Sequence, residues 1–318
     1  MSRVVFLLAP GVHLLDLAGP AQVFSGAADL GLPYELVHAA EQPDVPTAQG
    51  LVVRAADLPS TDPDDLVVVP GWRVGGRLRA TPLGQRALDW LRAHHAAGGT
   101  VASVCAGADA LGRAGLLDGR RCTTHHELQD DLARRYPAAT VVPDVLYVVD
   151  GPVVTSAGIA SGIDLALHLV ATRHGPAPAA RIARAMVVYA RRNGDEQQHS
   201  ALLRHRSHLS EAVHRIQDTI ESRLSERLPL AELAALAACS ERTVTRLFTK
   251  ATGMTPLRYQ QALRVERAEH LMAHGATAEA AARAVGFEDA RMLRRLRHRP
   301  PPPAPSPRPA SSPARQRR

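Results

Sequence analysis

The chain has 318 residues, 45% hydrophobic but only 3% aromatic, with 38 Lys and Arg against 31 Asp and Glu. At roughly 100–200 residues per domain this length predicts two domains, each able to bury a core built from aliphatic side chains. No apolar run approaches the ~18 residues of a membrane span, and three scattered cysteines (Cys105, Cys122, Cys239) without Cys-x-x-Cys spacing argue against a disulfide framework or a zinc site.

The charge is divided unevenly. Residues 1–199 carry 17 basic and 20 acidic side chains, whereas residues 200–318 carry 21 and 11. Every basic residue but Lys250 is an arginine. A general bias towards arginine would raise both parts. Only the second is raised, so that part is expected to meet a polyanion, nucleic acid first.

Taken in order, the first part alternates short β-branched runs with Ala/Leu-rich stretches. Residues 3–9, 66–69, 100–104, 145–149 and 153–155 read as strands. Too short for a secretion signal, the apolar start fits a buried first strand, and the cytoplasm is the expected compartment. Helical patterns cover 20–30, 83–97, 106–114 and 163–171. Buried strands separated by helices predict an α/β sheet covered on both faces. Asp150-Gly151 is a hairpin signal, and Asp144 and Asp164 read as structural acids.

Val104-Cys105-Ala106-Gly107 places a cysteine where an apolar strand meets a helix. Such an elbow exposes a nucleophile, and a helix N-terminus favours its thiolate. The plainer alternative is a small buried cysteine. Asp16 follows the first strand and His125-His126 follow the elbow by twenty residues. Asp16, Cys105 and His126 are therefore the candidate catalytic set, and the same three with Ala106 are the candidate ligand site. His126 is the candidate base, and one of the pair His125-His126 reads as a capping or surface residue.

Strands stop near Thr172, a helical pattern covers 176–192, and the polar stretch from Arg191 to His199 reads as a linker. Everything after His208 is helical in pattern. Leu230, Leu233, Ala234 and Ala237 share one helical face, Ala238-Cys239 makes a turn, and Ser240 is an N-cap for Glu241–Lys250. Val244, Leu247 and Phe248 face inward, leaving Arg242, Thr243, Thr245, Arg246 and Lys250 outside. That is a helix-turn-helix with a basic outer face, whose arginines suit guanine edges or phosphate. Ser240, Arg242, Thr243, Thr245, Arg246 and Lys250 are the candidate DNA contacts, joined by Arg291 and Arg294 further on. The last nineteen residues hold eight prolines and four arginines and are expected to be a disordered tail.

Residues 211–296 resemble the AraC-type regulators. The resemblance is carried by Cys239-Ser240-Glu-Arg242-Thr243-Val244-Thr-Arg246-Leu-Phe248, by Gly253-Met-Thr255-Pro256, by Leu263-Arg264-Val-Glu-Arg-Ala268 and by Val285-Gly286-Phe287. It implies two helix-turn-helix units joined by a long helix, here about 256–273. Three departures stand out. Ala238 replaces an expected turn glycine, which implies slight strain. Arg297 replaces a buried aromatic. The family's closing Phe-x-x-x-x-Gly-x-Ser-Pro stretch gives way to Pro300–Pro303. The second recognition helix is thus expected to start properly and lose part of its packing and its last turn.

The first part resembles the DJ-1/PfpI (class I glutamine amidotransferase-like) domain through Leu14-Leu-Asp16-Leu-Ala-Gly19-Pro20, Val69-Pro70-Gly71, Ser103-Val-Cys105-Ala-Gly107, Thr123-Thr-His125 and Thr155-Ser156-Ala157-Gly158-Ile159. This implies a flavodoxin-like α/β sandwich followed by an all-α domain. The combination is similar to GlxA-family transcriptional regulators, in which the first domain senses or dimerises rather than catalyses. Enzymes of the same fold each lack one part here. Ala106 stands where PfpI-type proteases carry histidine and isonitrile hydratase-like enzymes a threonine. Asp16 is the nearest acid to the glutamate of DJ-1-type members.

The expected organisation is a sensor domain (1–192), a linker (193–210), a DNA-binding domain (211–299) and a tail (300–318). The expected partners are double-stranded promoter DNA, an unidentified small-molecule effector (an amine, amide or aldehyde) and a second copy of the chain, with no cofactor or metal and no membrane. The competing expectation is a cysteine-dependent hydrolase or hydratase with a degraded DNA-binding end.

Overall fold

Short runs of valine and leucine form the centre of the first unit because they are buried on both faces. In the computed structural model, which describes residues 2–75, 78, 81–188, 192–196, 198, 205–206, 208–273 and 275–297, two compact units divide at residues 198 and 199. The tail and much of the expected linker (197, 199–204 and 207) lie outside the described residues.

The first unit is built on a six-stranded sheet in the order β2-β1-β5-β6-β10-β9. Strands β1 (Ser2–Leu7), β2 (Tyr34–Ala39), β5 (Leu66–Val69), β6 (Thr100–Val104) and β10 (Val153–Ser156) run parallel. Edge strand β9 (Tyr147–Asp150) pairs antiparallel with β10 through the turn at Gly151-Pro152. All four residues of β5 are buried, as helices on both faces require. Helices α1 (Leu14–Asp29), α5 (Ser161–His174) and α6 (Pro176–Ala185) pack together, as do α2 (Gln85–Ala96) and α3 (Gly107–Arg113). Two small ribbons, β3–β4 (Asp44–Pro46, Val52–Arg54) and β7–β8 (Arg121–Cys122, Thr140–Val141), and helix α4 (Gln129–Arg135) complete the unit.

Several boundaries differ from expectation. Helix α1 begins six residues before Pro20, which sits inside it and packs near Gly162 of α5. Proline only withholds one N–H there, and the packed helix pair tolerates that loss. Strand β2 was not apparent in the sequence. Helix α6 ends at Ala185, seven residues short of the expected end. The described part of the linker is not free. Leu146 N donates to Gly194 O (2.9 Å) and Gln198 N to Asp144 Oδ1 (3.1 Å), while Arg192 grips buried Asp164 with its N, Nε and Nη2 (3.1, 3.1 and 2.6 Å). A polar segment without periodicity thus closes over the first unit because a buried carboxylate requires a cation.

The second unit is helical: α7 (Glu211–Ser222), α8 (Leu230–Leu236), α9 (Glu241–Thr252), α10 (Pro256–Ala273), α11 (Ala278–Ala284) and α12 (Ala290–Arg297). Helix α10 spans the expected long helix and serves two separate cores. Its Tyr259 and Leu263 join Val213, Ile216, Ile220, Leu233, Val244 and Phe248. Its Ala268 joins Ala281, Ala282, Val285, Phe287 and Leu293.

Replacing Asp164 by alanine leaves Arg192 without its partner. We expect a loss of about 1–3 kcal/mol, read as a lower melting temperature, together with earlier proteolytic cleavage at residues 192–198. Wild-type values for both would show that the segment is held by other contacts.

Candidate functional site

In an open parallel sheet, loops from strands on either side of a reversal in strand order leave a crevice at the carboxyl ends. Here the chain leaves β1 towards β2 and returns to β5, so the reversal lies between β1 and β5. Three candidate elements converge at that edge: Asp16 after β1, Gly71 after β5 and Cys105 after β6.

Cys105 adopts a left-handed φ of 55°, the strained turn that an elbow needs. Its neighbours are glycines. A Cβ on Gly71 would lie 2.5 Å from Asp16 Oδ2 and 2.8 Å from Cys105 Cβ, and one on Gly158 would collide with Cys105 Cβ. Asp16 is fully buried. Its Oδ1 accepts from Ile159 N (2.8 Å), and its Oδ2 faces the thiol and the Gly71 backbone without a hydrogen bond of good geometry. Burial raises the Asp16 carboxyl above the usual range, against the bond from Ile159 and the field of His13. Thr124 Oγ1 donates to Cys105 O (2.8 Å).

Of the two readings of the elbow cysteine, this geometry produces the buried one and not the exposed thiolate. Cys105 is 7% exposed, and burial, then the Asp16 charge, push its thiol far above the ordinary value. The Ala106 N–H opposes this shift, but α3 is a seven-residue helix and burial outweighs it. His126 opens a short 3-10 turn (residues 126–128) and is exposed, its ring 4.2 Å from that of His125. His125 Nδ1 accepts from Glu127 N (3.4 Å), the capping role expected of one of the pair. The structure therefore brings together Asp16, Cys105 and Ala106, with His126 on the surface. Gly71, Gly158, Ile159 and Thr124 were not singled out as site residues, although motifs containing all four were visible.

In the second unit the capping signals place the outer faces. Ser240 Oγ accepts from Thr243 N (3.3 Å), Thr277 Oγ1 from Ala280 N (3.2 Å) and Asp289 Oδ1 from Met292 N (2.9 Å). Val244 and Phe248 are buried, which leaves Arg242, Arg246 and Lys250 exposed and Thr243 and Thr245 half-buried on α9. Thr245 Oγ1 donates back to Glu241 O (3.0 Å). Among the described residues, no carboxylate pairs with Arg242, Arg246 or Lys250. Ala238 has φ 51°, the strain expected where glycine is replaced. On α12, Arg291 and Arg294 are exposed, the latter 3.8 Å from Glu279. Arg297 pairs with Glu269 of α10 (2.9 Å), a half-exposed contact worth little beside the buried aromatic it replaces. A groove of about 950 Å³ separates the two halves, with Thr245 on one side and Arg291 and Arg295 on the other.

Comparison with known proteins decides the family. The DJ-1/PfpI family model matches residues 2–172, more than half of the chain, and a helix-turn-helix domain model matches residues 233–299. The chain belongs to the DJ-1/PfpI family. It has the architecture of an AraC-type helix-turn-helix regulator fused to a DJ-1/PfpI domain. The HTH-type transcriptional regulator CdhR of Pseudomonas aeruginosa is 31% identical over 274 residues, covering 84% of this chain and 79% of that protein. Isonitrile hydratase of Pseudomonas putida is 37% identical over 171 residues, covering 52% of this chain and 70% of that protein. A crystal structure of an AraC family transcriptional regulator from Pseudomonas putida superposes with a TM-score of 0.52 at 25% identity, over 58% of this chain and all of that one.

The buried pair gives a measurable prediction. Because the Asp16 carboxyl is raised, its favourable contribution to folding is present at low pH and lost as pH rises through the raised value. Asp16→Asn keeps an acceptor for Ile159 N and removes the charge. Its stability relative to wild type is expected to improve from about pH 4 to pH 7. In alkylation followed by peptide mapping, half-buried Cys239 should react well before Cys105 in the wild type, with Cys105 faster in Asp16→Asn. Equal labelling of Cys105 and Cys239 in the wild type would show an open, ionised elbow instead.

Proposed function

We propose that this protein binds promoter DNA through the outer faces of α9 and α12, and that its DJ-1/PfpI domain senses a small metabolite at the elbow and pairs with a second copy of the chain. The observation that carries this reading is the pair of N-capped helices hung from one shared helix, each with arginines turned to solvent. Ser240, Arg242, Thr243, Thr245, Arg246 and Lys250 form the first reading face, and Arg291 and Arg294 the second. Such arginines fork onto guanine or hold phosphate. We assign the cytoplasm as the working compartment.

In this reading Asp16, Cys105, Ala106 and His126 receive the effector and perform no chemistry. A neutral, desolvated thiol facing a buried carboxylate is a poor nucleophile. The polar character of the elbow suits an amine, amide or aldehyde. The message leaves by a short bonded route: Cys105 O accepts from Thr124, and Thr124 O accepts from Gln198 Nε2 (3.0 Å) at the end of the first unit. An effector acts on this route only by favouring one arrangement over another. The isonitrile hydratase likeness supports a second, enzymatic reading through Asp16 and Cys105, which the thiol's burial disfavours.

The test is a fluorescence-anisotropy titration of the full chain against the region upstream of its own gene at two salt concentrations. Sequence-dependent binding is expected, weakened about tenfold or more in Arg242→Ala/Arg246→Ala, since a bidentate arginine contact contributes about 1–3 kcal/mol. Weak binding with a steep salt dependence, equal in the variant, would mean charge attraction alone and would return attention to Cys105.

A further inference from the structure

Two recognition helices enter successive major grooves only if something holds their spacing, because those grooves repeat about every 34–36 Å along one face of the duplex. In the second unit the two halves have separate cores, and a single covalent connection, α10, joins them. A second connection runs through one side chain. Arg264, on α10, donates from Nε to Leu224 O (2.7 Å) and from Nη2 to Glu226 O (2.8 Å), both in the turn between α7 and α8 of the first half. Its Nη1 donates to Gly286 O (2.8 Å), in the turn between α11 and α12 of the second half, and its guanidinium lies 5.6 Å from the ring centre of Phe287. The two turns also touch directly. Gly286 has φ +84°, and any Cβ there would collide with the carbonyl of Ser225.

We propose that Arg264 is a positioning residue that locks the second recognition helix in register with the first, so that the two read DNA as one unit. This rests on the regulator reading of α9 and α12. Facing inward on three carbonyls, the guanidinium contacts no DNA in this role. Gln260 Nε2 independently donates to Leu224 O (3.1 Å) and Glu226 O (2.9 Å), so the first half keeps its turn when Arg264 is lost. What disappears is the tie to Gly286. A planar fork is required, since the compact ammonium of lysine does not span three acceptors.

The experiment compares the full chain and its Arg264→Ala, Arg264→Lys, Arg291→Ala/Arg294→Ala and combined variants on the same labelled upstream duplex, with far-UV circular dichroism as the folding control. Arg264→Ala is expected to weaken binding about tenfold or more in the wild-type background but less than about twofold when Arg291 and Arg294 are already gone, because both changes remove the same contacts. Hydroxyl-radical protection should shrink from two adjacent turns of DNA to one. Arg264→Lys should behave alike, and it decides the matter should the alanine variant lose helicity. Equal losses in both backgrounds would reveal a general structural role, and unchanged binding and protection in the lysine variant would show that the fork is dispensable. Either overturns the proposal. Absence of sequence-dependent binding by the wild type defeats the regulator reading itself.

Discussion

Helix α10 has to satisfy two cores at once, and the second unit depends on that constraint. Tyr259 and Leu263 turn into the first core and Ala268 into the second. The residues between them determine how the two halves lie relative to one another. Tyr259 is anchored at its far end, its hydroxyl donating to Glu221 Oε1 (2.7 Å), which Arg206 also grips (2.6 Å). The first half is thus fixed on α10 by a buried ring and a charged network. The second half offers smaller apolar surfaces, largely alanine, and has less to hold it. A side chain that bridges the turns of both halves matters more under that imbalance than it would between two large cores.

The first unit has a different constraint, the cost of burying polar groups at the carboxyl ends of the strands. Asp16 and Cys105 are both shielded from water; burial raises both groups, and the Asp16 charge raises the thiol further. Two glycines allow the close approach, and a left-handed cysteine supplies the turn. Nucleophilic elbows in general rely on exposure and a nearby base. Here exposure is small and the nearest paired acid opposes ionisation. In the reading proposed above, the same architecture registers whether something polar has entered beside Asp16, whose second oxygen lies against the thiol and Gly71.

Much of this was legible in the sequence, for identifiable reasons. Strands β5 and β6 lie where their short runs of mostly β-branched and small residues placed them, since a strand buried on both faces has no periodicity to misread. Helix α9 was legible because Ser240 fixes its first residue and thereby the phase of every residue after it. Strand β2 was not, because Tyr34-Glu35-Leu36-Val37-His38-Ala39 mixes polar and apolar residues and owes its state to pairing with β1. The segment after Ala185 was misread because polar composition does not distinguish a free linker from one tied to a buried acid such as Asp164. The state of the Cys105 thiol was left between two alternatives because a turn motif shows where a cysteine sits and not how much chain covers it. Arg264 was visible only as a member of a family motif, and nothing in the sequence showed what it holds. Its acceptors are backbone carbonyls 22 to 40 residues away, and such partners leave no trace in residue type.

A sensor joined to a reader works only if the element between them has something to respond to. Thr124 meets that condition in the first unit. Its hydroxyl donates to the carbonyl of Cys105, and its own carbonyl accepts from the side-chain amides of Gln198 and Gln129, so a rearrangement at the elbow that moves Thr124 bears on its bond to Gln198. Gln198 is also bonded to Val145 O (3.1 Å) and to Asp144, next to the edge strand β9. The last residue of the first unit therefore has one attachment that belongs to the elbow and others that belong to the sheet edge. The edge attachments do not involve Thr124, so a shift at the elbow bears on one bond of Gln198 and not on the others. In the reading proposed above, that division converts a small shift beside Asp16 into a choice between keeping and losing one hydrogen bond. A net contribution of about 0.5–1.5 kcal/mol for such a bond changes the populations of two arrangements roughly two- to tenfold, enough to modulate a regulator without unfolding any part of it.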